Sequence, residues 1–325
     1  MTSYAKAHTN IALIKYWGKK DPQLMLPMNN SISLTLDAFY TETWVSFQKE
    51  LTSDRFILNE TVQDTKQSKK VVKFLNEARA ISKTKLFAEV KSINHVPTAA
   101  GLASSASGMA ALAGATSLAL GLPLDDISLS RLARHGSGSA TRSIYGGFSE
   151  WQKGSDDATS YAVPLKEDLS DWDLAMIFIL INDQPKKISS TAGMAHTVET
   201  SIFYPGWLKA IDGDLKDVRQ AISEKNFTLL GETAERNALR MHATMLGANP
   251  PFTYLAPGTL TALDIVQKLR EQGILGYCTM DAGPNVKVLV EKANVKTFLD
   301  ALSVTFPKEN LVVAFPGRGI ELKEK

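Results

Sequence analysis

The segment Pro97-Thr98-Ala99-Ala100-Gly101-Leu102-Ala103-Ser104-Ser105-Ala106-Ser107-Gly108 has the make-up of an anion site. It follows an apolar run of strand length and opens an Ala-rich helical run. A helix start carries unpaired backbone N–H groups and a partial positive charge. Both suit a phosphate. Gly101 lets the backbone approach closely. Ser104, Ser105 and Ser107 add hydroxyls that can donate to phosphate or bear on a phosphate-bound metal. The same serines would also cap an ordinary structural helix. The run of small residues, with Gly and adjacent Ser after a strand, favours phosphate. The spacing is not that of a Walker A loop or of a dinucleotide-binding turn.

Three further segments carry groups of chemical interest. Asn10–Lys19 reads as a basic strand, with Lys15, Trp17 and Lys19 on one face and Tyr16 and Gly18 on the other. Two ammonium groups on one face suit a diphosphate; they equally suit the solvated edge of a sheet. Gly136–Arg142 is a turn rich in hydroxyls, with Ser137, Ser139 and the planar fork of Arg142, which fits carboxylate or phosphate in two places. A helix cap with a surface Arg has the same composition. Asp281-Ala282-Gly283-Pro284-Asn285 follows an apolar strand. It places a carboxylate on a rigid turn, although these are also simply turn-forming residues. The five histidines, His8, His95, His135, His196 and His242, show no metal-ligand spacing and read as structural or surface residues.

The elements around these groups suggest an α+β protein. Strand patterns cover Asn10–Trp17, Ser31–Phe39, Thr41–Phe47, Leu86–Ile93 and Leu174–Ile181, with helices at Lys66–Ala80, Ala103–Leu122 and Ile127–His135. The second half is mostly helical over Ser189–Thr200, Ile202–Ser223, Phe227–Met245, Gly258–Gln272 and Val295–Val304. Strands at Ile274–Met280, Val286–Glu291 and Leu311–Phe315 complete it, and the charged tail Glu321–Lys325 reads as frayed. A length of 325 residues is more than one core usually organises. The expected division is a phosphate-binding domain over 1–183 and an α+β domain over 184–325. A net charge of +2 excludes nucleic-acid or membrane binding through bulk charge. The apolar run Ala103–Leu122 is too rich in Ala, Gly and Ser to read as a membrane span. A single cysteine, Cys278, permits no internal disulfide and fits a reducing compartment. It reads as an inert buried thiol. With no leader-like plan in Met1–Lys6, the expected location is the cytoplasm.

The four segments above, with Ser-Ser-Thr-Ala-Gly-Met (Ser189–Met194), resemble the diphosphomevalonate decarboxylases of the GHMP kinase superfamily. They run in the family's order from residue 10 to residue 285. Lys-Tyr-Trp-Gly-Lys is specific to the decarboxylases, whereas the loop alone points only to the superfamily. The resemblance implies a two-domain GHMP-kinase fold. Its N-terminal half would be ribosomal-protein-S5-domain-2-like and its C-terminal half ferredoxin-like, with the site in the cleft between them. It implies ATP and Mg²⁺ as cofactors, mevalonate 5-diphosphate as substrate, isopentenyl diphosphate as product, and a homodimer. Pro97, Gly101, Ser104, Ser105 and Ser107 would seat the nucleotide's phosphates. Lys15, Tyr16, Lys19, Ser137, Ser139, Arg142 and Ser190 would hold the substrate.

Asp281 would be the catalytic carboxylate, and Lys187 would offset its charge. The metal ligands are not assigned. Related readings are a 3-kinase, a monophosphate decarboxylase, and a non-catalytic binding protein of the same fold. The intact loop serines and Asp281 speak against the last. A tertiary hydroxyl must be phosphorylated to leave. A carboxylate on the neighbouring carbon must then be aligned to depart as CO2. Arg142 suits the second task by orientation. Asp281 suits the first, taking the hydroxyl proton late as a loose phosphoryl transition state forms.

Overall fold

The computed structural model describes residues 2–95, 104–181 and 187–324. Pro97 and Gly101 lie outside them, as does the expected domain division. The order is β1 (Ser3–Ile14), β2 (Lys19–Asp21), β3 (Leu26–Pro27), β4 (Ser31–Gln48), β5 (Arg55–Leu58), β6 (Thr61–Val62), α1 (Thr65–Ser82), β7 (Phe87–His95), α2 (Ser104–Leu120) and α3 (Asp126–Gly136). After a 3₁₀ turn at Gly138–Ile144 come β8 (Phe148–Trp151), β9 (Ala162–Lys166), β10 (Leu174–Ile179), α4 (Ser190–Thr200), α5 (Tyr204–Glu224) and α6 (Phe227–Leu246). The chain continues with α7 (Pro257–Glu271), β11 (Gly276–Met280), β12 (Val286–Glu291), α8 (Val295–Ser303), β13 (Leu311–Ala314) and β14 (Glu321–Glu324).

Two larger sheets result. The first runs β14-β1-β4-β7-β5-β6, with β8 and β9 added along the first part of β4. The second runs β11-β12-β10-β13, all antiparallel. β1 is buried along almost its whole length, which explains why its sequence does not alternate cleanly. Ala106, Ala110 and Ala113 of α2 are small, fully buried side chains that let the helix lie close to the first sheet. One apolar cluster joins the halves: Ile11 and Leu13 of β1 pack in the same core as Phe178 of β10 and Met241 of α6. The two halves therefore share a continuous core.

The tail departs from expectation. Glu321–Glu324 pairs with β1, Ser3 opposite Glu324 and Lys6 opposite Glu321, and Lys6 lies 3.7 Å from the Glu321 carboxylate. Pairing supplied by the distant β1 overrides the low strand propensity of Glu-Leu-Lys-Glu. β8 and β9 also escaped the sequence pattern because each is only a few residues long.

Candidate active site

β1 ends at Ile14, so Lys15-Tyr16-Trp17-Gly18 is not strand, and the expected two-faced alternation does not hold there. Register shifts at His8/Thr9 and Ala12/Ile14 re-aim the chain just before it. Each side chain goes its own way. Lys15 turns inward to Asp281, Tyr16 packs edge-on against Trp151, and Trp17 packs edge-on against Tyr254. Gly18 has φ +111°, and a Cβ there would stand 2.1 Å from the Tyr204 hydroxyl. That hydroxyl donates to the Trp17 carbonyl. Only Gly fits this crowded left-handed turn.

Asp281 lies just beyond β11 and keeps 32% of its side-chain surface exposed. Lys15 Nζ stands 2.9 Å from Oδ1 and Lys287 Nζ 3.0 Å from Oδ2. Both lysines are almost fully buried, so the expected solvated edge is ruled out for Lys15. Burial alone would raise the Asp281 carboxyl. The two ammonium groups outweigh it and hold Asp281 well below the usual carboxylate range. Burial pushes Lys15 down to about 8 against the pull of Asp281, with Lys287 and Arg142 adding to the depression.

The 3₁₀ turn supplies the opposite wall. Arg142 is 2% exposed; Nη1 donates to Ser31 Oγ at 2.6 Å and Nε to Asn10 Oδ1 at 3.3 Å. Nη2 makes no hydrogen bond among the described residues. Burial lowers the guanidinium to about 10, against the opposing charge of Asp281. Asn10 is fixed in turn, since Nδ2 donates to Ser143 Oγ and to the Ser139 carbonyl. Ser137 and Ser139 place their hydroxyls 3.3 Å apart. A Cβ on Gly138 would stand 2.6 Å from the Trp151 ring and 3.0 Å from Tyr16, so Gly138 lets the turn close on both rings. The Tyr16 hydroxyl is buried with no partner among the described residues, and burial pushes its phenol up. It stays a neutral donor.

The remaining residues take other places. Lys19 stands in β2, half-buried, and burial together with the Lys73 charge lowers its ammonium. Lys19 therefore feels the charge of exposed Lys73 on α1 and lies apart from Lys15. Ser105 is exposed at the start of α2, whereas Ser107 is fully buried 2.9 Å from Thr41 Oγ1, tying the helix to the sheet. Ser190 opens α4, whose first turn is held by the Tyr254 hydroxyl donating to the Ile188 carbonyl. Lys187 is exposed and makes no ion pair among the described residues. The charge on Asp281 is met by Lys15 and Lys287 instead.

Residues 7–162 match the diphosphomevalonate decarboxylase-like N-terminal domain, and residues 175–321 match the mevalonate 5-diphosphate decarboxylase C-terminal domain. The diphosphomevalonate decarboxylase of Candida albicans is 36% identical over 314 residues, which cover 91% of this chain and 86% of the relative. The chain belongs to the diphosphomevalonate decarboxylase family. A mevalonate diphosphate decarboxylase from Enterococcus faecalis, solved for its mevalonate diphosphate mediated ATP binding mechanism, is 57% identical. It superposes with a TM-score of 0.95, covering 100% of this chain and 99% of that one. The structure of MDDEF in complex with MVAPP, AMPPCP and magnesium is 58% identical, with a TM-score of 0.96 and the same coverage. The two-domain α+β fold of the family is therefore the fold of this chain.

Within this decarboxylase fold, Lys287, Asn10, Ser31 and Asn237 are site residues that sequence reasoning missed. Lys287 was legible in principle, six residues after Asp281 on the next strand of a hairpin. His242 is neither a surface residue nor remote from the site. It is 2% exposed beside the Met280–Asp281 backbone, its ring nitrogens make no hydrogen bond among the described residues, and burial, then the Lys15 ammonium, lowers it to about 4.

Lys287→Met should bring an acid limb into the pH profile of kcat. The depressed pKa of Asp281 keeps it an anion far below neutrality, and the anion is the form that could accept a proton. Losing one of two ammonium neighbours lets that pKa climb back toward the ordinary carboxylate value, about 4, so any new limb lies at the acid end of the profile. The protonated, inactive fraction then grows as the pH falls. The pair's share of folding stability follows the same sign. It is present above the unfolded value, about 4, and is lost as pH falls through the lower folded value. An acid limb identical to that of the unsubstituted enzyme would rule out this electrostatic role.

Proposed function

We infer that the chain catalyses the ATP-dependent decarboxylation of mevalonate 5-diphosphate to isopentenyl diphosphate, with ADP, phosphate and CO2 as the other products. The observation that carries this reading is the Asp281 carboxylate, clamped between two buried ammonium groups and within reach of the charge of a buried arginine whose Nη2 has no hydrogen bond among the described residues. Asp281 orients the 3-hydroxyl and accepts its proton. Arg142 holds the substrate carboxylate so that its C–C bond lines up with the departing C–O bond. Tyr16, Lys19, Ser137, Ser139 and Ser190 hold the diphosphate, with Lys15 in the same basic segment.

The loop from Pro97, with Gly101, Ser104 and Ser105, seats the nucleotide's phosphates on the start of α2. The first turn of α2 carries no acidic side chain to repel them. Ser107 anchors this turn from behind. Among the described residues no three His, Cys, Asp or Glu side chains converge as a metal site, which suits a Mg²⁺ that arrives on phosphate oxygens. Such an ion neutralises charge on the transferring phosphoryl group.

We also propose a homodimer working in the cytoplasm. Exposed Ile202, Phe203 and Leu246, near one another at the start of α5 and end of α6, support pairing of copies. A monomer mass by light scattering would overturn it. The lone buried thiol Cys278 suits a reducing compartment, and no helix among the described residues is long and apolar enough to cross a membrane. Localising the tagged full chain in cells tests that assignment, and a signal confined to a membrane or exported fraction would overturn it.

The reaction is tested by measuring ADP and CO2 together from mevalonate diphosphate and ATP. Equal amounts are expected. ADP without CO2 would mean a kinase. Neither product, with binding retained, would mean a binding protein.

A further inference from the structure

Lys15 is the first residue beyond the β1 ladder, whose last pair is Ile14 opposite Ile32. Its backbone therefore has no strand partner, and two asparagine side chains take over. Its N–H donates to Asn237 Oδ1 at 2.8 Å, and its carbonyl accepts from Asn29 Nδ2 at 2.8 Å. Its ammonium donates to the Ala12 carbonyl at 2.7 Å and to Asp281 at 2.9 Å. Asn237 belongs to α6, in the C-terminal half, and is fully buried.

The amide of Asn237 is not free to turn. Its Nδ2 donates to Asp214 Oδ2 at 2.9 Å. Asp214 is a buried carboxylate of α5, held at Oδ1 by Arg236 Nη2 at 3.0 Å and Arg240 Nη1 at 3.2 Å. A carboxylate only accepts, so it fixes which end of the amide faces it. The oxygen must then face Lys15. Rotating the amide would set oxygen against oxygen and strand a buried N–H, at a cost of about 1 to 3 kcal/mol.

The consequence is geometric. Lys15 comes from the N-terminal half and Asp281 from the C-terminal half, so their 2.9 Å contact spans the seam. Any slip between the halves changes that distance first. α6 packs on β11, and β11 ends one residue before Asp281. A short closed circuit results, from the Lys15 backbone through Asn237, α6 and β11 to Asp281, and back to the Lys15 ammonium.

We propose that Asn237, oriented by Asp214, is a positioning residue that sets the Lys15–Asp281 contact across the seam. The proposal rests on reading Asp281 as the proton acceptor. Asn237 touches no substrate. It acts by holding the Lys15 backbone where the ammonium can meet the carboxylate.

Steady-state kinetics of the full chain test it, with mevalonate diphosphate and ATP, on Asn237→Ala, Asn237→Asp and the double variant Asp214→Asn/Asn237→Asp. Asn237→Ala should lower kcat by about 10- to 100-fold, since misplacement by about 1 Å can cost about 100-fold. KM for both substrates should stay within about threefold. Its acid limb in kcat should move to higher pH, because a loosened Lys15 no longer holds Asp281 down. Asn237→Asp should fall as far, with two carboxylates facing each other. The double variant should recover most of kcat, because the amide at 214 can donate to the carboxylate at 237, which still accepts from the Lys15 N–H. A loss without a shifted acid limb, or one that follows the melting temperature and survives the swap in a refolded protein, overturns the positioning role. So does an Asn237→Ala enzyme with kcat within twofold of the parent. The premise is checked apart: if the unsubstituted chain turns over and Asp281→Asn does not, the proton-acceptor reading stands whatever Asn237 does.

Discussion

Asp281→Asn should lower kcat by about 1,000-fold or more, in the range general-base catalysis supplies, while mevalonate diphosphate still binds. The amide is close to isosteric, so the cleft keeps its shape. What is lost is the anion. The ammonium groups of Lys15 and Lys287 would then face each other across a neutral amide, both buried. A buried charge stripped of its partner is costly. Lys15, already lowered to about 8, would release its proton more readily still. The variant should therefore also melt earlier. Thermal unfolding run beside the kinetics separates the two effects, because a folded, substrate-binding variant with lost turnover isolates the chemistry. Turnover within tenfold of the parent would remove Asp281 from the reaction.

On the proposed role of Asp281, the charge environment also bears on when the proton moves. A carboxylate held far below its usual range is a weaker base than free aspartate, and an alcohol is a very weak acid. Proton transfer before phosphorylation is therefore strongly uphill. As the phosphoryl group reaches the oxygen, that oxygen's proton becomes acidic, and transfer to Asp281 becomes downhill. The two lysines give up basicity in the carboxylate and gain a fixed, ionised acceptor. Asp281 is then a group that aims the hydroxyl first and receives its proton second.

Much of this was legible in the chain itself, and the boundary has a physical cause. Short-range signals survived: the helix positions, the Gly-Ser-Gly-Ser turn, the carboxylate after an apolar strand, and the order of the segments, whereas the expected strands Ser31–Phe39 and Thr41–Phe47 are one strand, β4. Signals that depend on distant partners did not. Lys15 and Lys19 looked like one face of a strand, but a bulge ended the strand at Ile14 and sent Lys15 to Asp281 and Lys19 toward Lys73. Lys187 was expected to offset the charge on Asp281, yet Lys15 and Lys287 stand against that carboxylate. Asn237 carries no local mark at all. Its partners are Lys15, 222 positions earlier, and Asp214 on another helix. Glu321–Glu324 read as a frayed end because its strand character comes wholly from β1.

Arg142→Lys should lower CO2 formation by about 100-fold or more and uncouple it from ADP formation. The guanidinium is held along one side by Ser31 and Asn10, which fixes its plane and leaves Nη2 for the substrate. A lysine ammonium has no plane to fix. It would reach one carboxylate oxygen, or turn aside to Ser31 or Asn10, and the substrate carboxylate would rotate about its C–C bond. Phosphorylation needs Asp281 and the nucleotide but not that rotation angle. Loss of CO2 needs the C–C bond aligned with the breaking C–O bond. The two steps should therefore separate, with ADP appearing faster than CO2. Two bonds to neutral partners also temper how tightly Arg142 grips the substrate carboxylate, which matters because a charge held too firmly resists leaving as neutral CO2. Position rather than attraction is then the contribution that the substitution removes. Measuring ADP and CO2 from the same reaction decides it: a ratio that stays at one, with turnover within a few-fold of the parent, would show that Arg142 does not align the carboxylate.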